Sequence, residues 1–348
     1  MVQKRRLLFL IIWVACLSVA FFILVQLPFA ANFKILSPLI IEKETTTTIA
    51  PTTPKRDIFF DIFATASKMD VREVPVLMTF LEDDSLDFAN NWLCNVEDYG
   101  LYQNVIMISA SEKVKQELTR LWPTVHVFSI EKEMSPYQDR ERHLRCNKFL
   151  ARAVLTVLEA ELKVLLFRVD SVWLQDPIVL LQSIINNKRD VNLILAGFSE
   201  RSSDLDTGFA LLKAVPEVMA LWNQYIVMID EILKRIVQPN VNIPESENER
   251  NYFSQLVRRR FGRVKHHLLT VDIVADDRWY GAPLFRTENT RYNLQNKLHV
   301  VRNYFADTET LPRKQMMKDA RHWFIEEAAD WACNEDSVVQ AEKSVWRL

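Results

Sequence analysis

The chain has 348 residues, enough for about two domains, and its 43 lysines and arginines against 45 aspartates and glutamates leave a formal charge of −2. No broad electrostatic field for nucleic acid is expected from that balance, and 49% apolar with 25% charged residues excludes a disordered chain. The 5 glycines fall in neither a P-loop nor a GxGxxG spacing, and 4 cysteines are too few for a disulfide scaffold.

Residues 7–27 (LLFLIIWVACLSVAFFILVQL) carry no charge. At about 1.5 Å per residue such a helix crosses a hydrocarbon core of about 30 Å. Lys4, Arg5 and Arg6 precede it and Lys34 is the next charge after it, so residues 1–6 are expected as a cytosolic tail. The run exceeds the roughly 7–15 apolar residues of a cleaved signal peptide, and small residues are missing at the cleavage positions, which favours an uncleaved signal anchor. Residues 28–72 read as a stem, because the tract of Thr45, Thr46, Thr47 and Thr48 with Pro51, Thr52, Thr53 and Pro54 cannot form a core. Residues 73–348 are the expected lumenal domain. Cys16 lies in the anchor, so Cys94, Cys146 and Cys333 allow one intramolecular pair and one remaining thiol, with the pairing open.

Within that domain, short apolar runs alternate with helical patterns. Residues 74–80 (VPVLMTF), 105–108 and 125–128 read as strands, with an amphipathic helix at 86–96 after the first. Phe149, Leu150, Ala153, Val154, Val157 and Leu158 recur at helical spacing and run into a buried strand at 164–167 (VLLF). Strands at 191–195 and 209–212 and a helix at 218–232 follow. The alternation predicts an α/β domain with a mixed, mostly parallel, Rossmann-like sheet covered by helices on both faces. Ligands of such sheets bind beyond the carboxyl ends of the strands.

Residues 163–177 (KVLLFRVDSVWLQDP) end a buried strand at that edge. Asp170 there can hold a hard cation through oxygen, and a divalent ion bridging a diphosphate would neutralise a leaving group. The plainer reading makes Asp170 a turn cap and Trp173 core, while Asp176 before Pro177 suits a helix N-cap.

The segment resembles the DxDxxWLxDP element of the nucleotide-diphospho-sugar transferases that include plant cell-wall xylosyl- and arabinosyltransferases. VPVLMTF followed by NNWLCNVEDYGLYQNVIMIS, RCNKFLARAVLTVLEAEL, Asp206-Thr207-Gly208-Phe209, Trp279-Tyr280-Gly281, residues 299–305 and residues 313–323 resemble further family segments in the same order. The resemblance covers roughly residues 74–324 and implies a type A glycosyltransferase fold, a nucleotide-sugar donor, a glycan or glycoprotein acceptor, Mn²⁺ or Mg²⁺, and Golgi residence as a single-pass type II membrane protein. It implies Asp170 and Asp206 as catalytic carboxylates, with Asp170 on the metal. Arg168, Lys148, Gly208 and Thr79 fall to the donor side, and Trp279, Tyr280 and Asn303 to the acceptor side. Glu249 with Asn251 occupies the region of the family's acidic–Gln pair.

The chain departs from the pattern where chemistry is concentrated. Arg168 stands at the first acidic position, Asp206 replaces an amide, and Arg302-Asn303-Tyr304 replaces a His–Asn–Trp run. A cation at Arg168 repels a divalent ion by about 4 kcal/mol per unit charge pair at 4 Å and an effective dielectric near 20. Arginine can instead clamp phosphate bidentately. The expectation is therefore transfer with weak or no metal dependence. The alternatives are an inactive pseudotransferase that binds nucleotide or glycan, and a type II receptor or scaffold. His143 with Cys146 lacks an orienting group for a thiol–imidazole site, and His266-His267 beside Arg258, Arg259 and Arg260 reads as a solvated basic face.

Overall fold

The computed structural model describes residues 57–197, 205, 207–238, 243–244, 247–275, 297–302, 310–326 and 331–334. The anchor, the tail and the stem up to residue 56 lie outside the described residues. Among the described residues no helix is long and apolar enough to cross a membrane.

A seven-stranded sheet carries the fold, in the order β3-β2-β1-β4-β7-β6-β8. Its strands are β1 (Val76–Leu81), β2 (Val105–Ser109), β3 (His126–Ser129), β4 (Val164–Phe167), β6 (Leu193–Ala196), β7 (Phe209–Leu212) and β8 (His266–Leu269). β3, β2, β1 and β4 are parallel to one another, β7 runs antiparallel to both β4 and β6, and β8 is parallel to β6. The expected mixed, mostly parallel sheet is what forms, with β7 as its reversed member. His266 and His267 lie in edge strand β8 and are partly buried rather than spread on a solvated face.

Helices cover both faces. β1 shows why: Val76 and Met78 enter one apolar cluster, while Leu77 and Leu81 enter the other, as the two-residue period of a strand requires. On the Val76 side pack α1 (Ile58–Ala66), α5 (Asp139–Glu159), α7 (Pro216–Ile236) and α8 (Glu249–Arg258). On the Leu77 side pack α2 (Leu86–Asn95), α3 (Glu112–Leu121) and α6 (Pro177–Asn187). A one-turn helix, α4 (Glu131–Met134), joins β3 to α5. α6 starts as its sequence demands, with Asp176 accepting from the Ile178 N–H at 2.8 Å and Pro177 in the first turn.

α2 departs from the amphipathic expectation. Phe88 to Asn95 are all buried, three asparagines included. Each asparagine satisfies a partner elsewhere. Asn90 accepts from the Trp122 indole at 2.9 Å, Asn91 bonds the backbone of His322 and Phe324, and Asn95 bonds the backbone of Trp173. Trp92 stacks on Phe167 at 4.2 Å and meets Trp173 edge-on at 5.2 Å, so Trp173 is core.

A small sheet of β5 (Ser171–Trp173), β10 (Val300–Arg302) and β9 (Val274–Ala275) follows the acidic segment. α9 (Thr310–Asp319) and the hairpin of β11 (Ile325–Glu326) and β12 (Ala332–Cys333) complete the described chain. Cys94 of α2 is bonded to Cys333 of β12, which leaves Cys146 as a buried thiol. Gly262 has φ +66° in the turn beneath α7, where an added Cβ would stand 2.7 Å from the Glu217 carbonyl oxygen, so no side chain fits.

Candidate functional site

From β1 the chain moves outward through β2 to β3, then returns to β4 on the other side of β1. Strand order reverses between β1 and β4, and in open α/β sheets the crevice beyond that point takes ligands. Glu82 and Asp83 follow β1 there, and Arg168 to Asp170 follow β4.

Asp170 is 3% exposed and held by two arginines. Arg168 donates from Nε to Oδ1 at 2.9 Å and from Nη2 to Oδ2 at 2.8 Å, a two-pronged clamp on a carboxylate two residues ahead. Arg313 of α9 donates from Nη1 to Oδ2 at 3.1 Å. The turn is closed by the Ser171 hydroxyl, which donates to the Arg168 carbonyl at 2.5 Å. Arg168 keeps 36% of its side chain exposed and Arg313 15%, so the fork opens to solvent on the Arg168 side. α9 is seated on the start of α2: the Arg313 guanidinium lies 5.3 Å over the Phe88 ring, and Lys314 pairs with Asp87 at 2.5 Å. Arg302 of β10 is paired with Ser171 of β5 and buried, which brings a third guanidinium-bearing residue to this segment.

A second polar group joins α5, α8 and the end of β1. His143 Nε2 lies 3.3 Å from Glu249 Oε1; Asn147 Nδ2 donates to the same oxygen at 3.2 Å and stands 3.0 Å from the imidazole nitrogen. His143 Nδ1 is 3.9 Å from Glu82. The hydrogen bond to Glu249 raises the His143 pKa above its ordinary value; burial and the positive charge of Arg168 oppose that rise. Burial pushes Glu249 upward, but the hydrogen bond and charge of His143 outweigh it and leave the carboxyl below its ordinary value.

Beyond the ends of β1, β2 and β3 lies a cavity of about 690 Å³, lined among others by Asp83, Ser111, Glu131, Tyr137 and Arg142. That volume suits a small organic ligand. Its rim carries the Arg142–Asp83 ion pair at 3.1 Å, one residue from His143. Arg168 and Asp170 are not in its lining.

Of the residues expected at the site, the structure brings Asp170 and Arg168 together. Lys148 is turned to α7, where its ammonium pairs with Asp230. Thr79 is 1% exposed inside β1, and Gly208 is buried just before β7. Asp206, Trp279, Tyr280 and Asn303 lie outside the described residues. Arg313, His143, Asn147 and Glu82 gain roles that local pattern did not mark. Only the i to i+4 spacing of His143 and Asn147, with Glu249 opening a helix, offered a hint.

The expected Mn²⁺ or Mg²⁺ does not fit at Asp170. Both carboxylate oxygens already accept N–H bonds from cations, which would repel a divalent ion. Among the described residues no group of three or more histidines, cysteines, aspartates or glutamates is placed to hold a metal.

No family model matches the sequence. No curated protein matches it either. Several solved structures are similar in shape. Mouse Xyloside xylosyltransferase 1 in its apo form is 10% identical over 67% of this chain and 98% of that chain, with a TM-score of 0.38. The galactosyltransferase LgtC in complex with donor and acceptor sugar analogs is 11% identical over 71% of this chain and 95% of that chain, with a TM-score of 0.42. The glycosyltransferase GlyE of Streptococcus pneumoniae is 11% identical over 78% of this chain and 64% of that chain, with a TM-score of 0.45.

Proposed function

We propose that this chain is a glycosyltransferase that moves a sugar from a nucleotide diphosphate donor to a glycan or glycoprotein acceptor. One observation carries the reading: Arg168 and Arg313 converge at the carboxyl edge of β4, beside the point where strand order reverses. Breaking a sugar–phosphate bond leaves charge on the departing diphosphate, and guanidinium groups already held in place stabilise that charge without a metal ion. The cavity beyond β1, β2 and β3 is the proposed seat of the nucleoside. In this reading Asp206 is the carboxylate that takes the acceptor proton, and Trp279, Tyr280 and Asn303 belong to the acceptor side. Residues 7–27 anchor the enzyme in the Golgi membrane, and the stretch from residue 28 to the start of α1 spaces its lumenal domain from the bilayer; the last part of the expected stem, α1, packs on the sheet instead.

The test is release of nucleoside diphosphate from a panel of nucleotide sugars, with acceptor glycans, in EDTA and in Mn²⁺. Release that persists in EDTA is expected. Absence of donor binding under every condition would overturn the proposal. A second reading, a pseudotransferase, is favoured by the sequestration of Asp170 in its ion pairs. It predicts donor binding with no release.

A further inference from the structure

The carboxylate of Asp170 sits in its arginines as a phosphate would. Two oxygens accept three N–H bonds, two of them parallel from one guanidinium, in the fork geometry that suits carboxylate and phosphate alike. A buried carboxylate surrounded in this way is neither a metal ligand nor free to take a proton from an acceptor. It neutralises guanidinium charge at a largely buried edge.

We infer that Asp170 is a built-in substitute for the ligand's phosphate, occupying the Arg168–Arg313 fork until a diphosphate displaces it. The inference rests on the proposal that this crevice takes a diphosphate, and it reverses the effect of removing Asp170. If the carboxylate held the donor or its metal, replacing it would weaken anion binding. As a competitor for the same N–H donors, its replacement strengthens anion binding. Arg168 is the entry side, because its side chain is more exposed than those of Asp170 and Arg313. Exchange requires no covalent step, only a change of acceptor on Nε and Nη2 of Arg168 and Nη1 of Arg313.

The experiment is calorimetry of inorganic pyrophosphate against the detergent-solubilised full chain and its Asp170→Asn variant in EDTA. Asp170→Asn is expected to bind pyrophosphate about tenfold more tightly, the equivalent of one charge-assisted hydrogen bond regained. The double variant Arg168→Gln/Asp170→Asn is expected to lose that gain. Unchanged or weaker binding by Asp170→Asn overturns the inference, as does a gain that survives in the double variant. If Asp170→Asn is too unstable for calorimetry, its melting midpoint is followed with and without pyrophosphate. A larger rise than in the native chain supports the inference, and an equal or smaller rise overturns it. Pyrophosphate reports on the fork alone. Tighter pyrophosphate binding without release from any nucleotide sugar leaves the inference standing and removes the transferase proposal. Turnover without the pyrophosphate gain does the reverse.

Discussion

Asn95 and Trp173 exchange two hydrogen bonds across 78 residues of sequence: the asparagine amide donates to the Trp173 carbonyl at 3.0 Å, and the Trp173 N–H donates to its Oδ1 at 2.6 Å. The side chain thus copies one rung of a β-ladder and pins α2 to β5, just beyond the turn that bears Asp170. Asn95→Ala leaves both backbone groups buried and without that partner. A loss of about 2–4 kcal/mol in urea unfolding is expected. A loss under about 0.5 kcal/mol, the range of an ordinary surface change, would show that the pairing does not matter.

The His143–Glu249 pair sets a pH window. His143 is raised above its ordinary value of 6.5, so its contribution to stability is complete below that pH and fades as pH rises through the raised folded value. Glu249 is lowered from 4.5, so its contribution is present above that pH and is lost as pH falls through the lowered folded value. The pair therefore acts between those two folded values. Glu249→Gln should lower the His143 midpoint, as followed by NMR of the imidazole; an unmoved midpoint would contradict the assignment.

Cys94 and Cys333 close a loop of 239 residues and tie β12 to α2. Reduction, or Cys94→Ser, is expected to cost about 2–5 kcal/mol, chiefly by freeing the unfolded chain. The check is the melting midpoint with and without dithiothreitol, where coincident curves would count against a stabilising bond.

Cys146 should be inert by comparison. Burial pushes its thiol up to about 11, and it lies in the apolar cluster shared by α5 and α7. At pH 8 the folded chain is expected to resist alkylation at Cys146 while the urea-unfolded chain reacts readily, as read by mass spectrometry of the peptide. Equal rates in both states would place the thiol at the surface.

The sheet was largely legible because its strands are short runs of apolar residues. VLLF at 164–167 can only be buried, and the expected strands fall within about two residues of the observed ones, while β8, with its paired histidines, was not expected as a strand. Strand direction leaves no trace in such a pattern, so the reversal of β7 could not be read. α3 escaped notice because half of EKVKQELTRL is charged and it buries only Val114 and Leu118. At the site, the Arg168–Asp170 neighbourhood was readable from two residues in one segment. Arg313 was not: residues 313–323 carried only a resemblance, and a reach to Asp170 across 143 positions leaves no local trace. The disulfide pairing and the buried asparagines of α2 are hidden for the same reason: their partners are chosen by the packed fold.

Asn91 gives the late part of the chain its own consequence. Its amide accepts from the Phe324 N–H at 2.6 Å and donates to the His322 carbonyl at 3.0 Å, so an early helix holds a segment made more than 200 residues later. A ribosome must finish that segment before α2 can bury its polar face. A product cut short ahead of residue 313 would carry the whole seven-stranded sheet, an Asn91 without its His322 and Phe324 partners, and an Asp170 without Arg313. Such a molecule would be unfinished, however well its strands had paired.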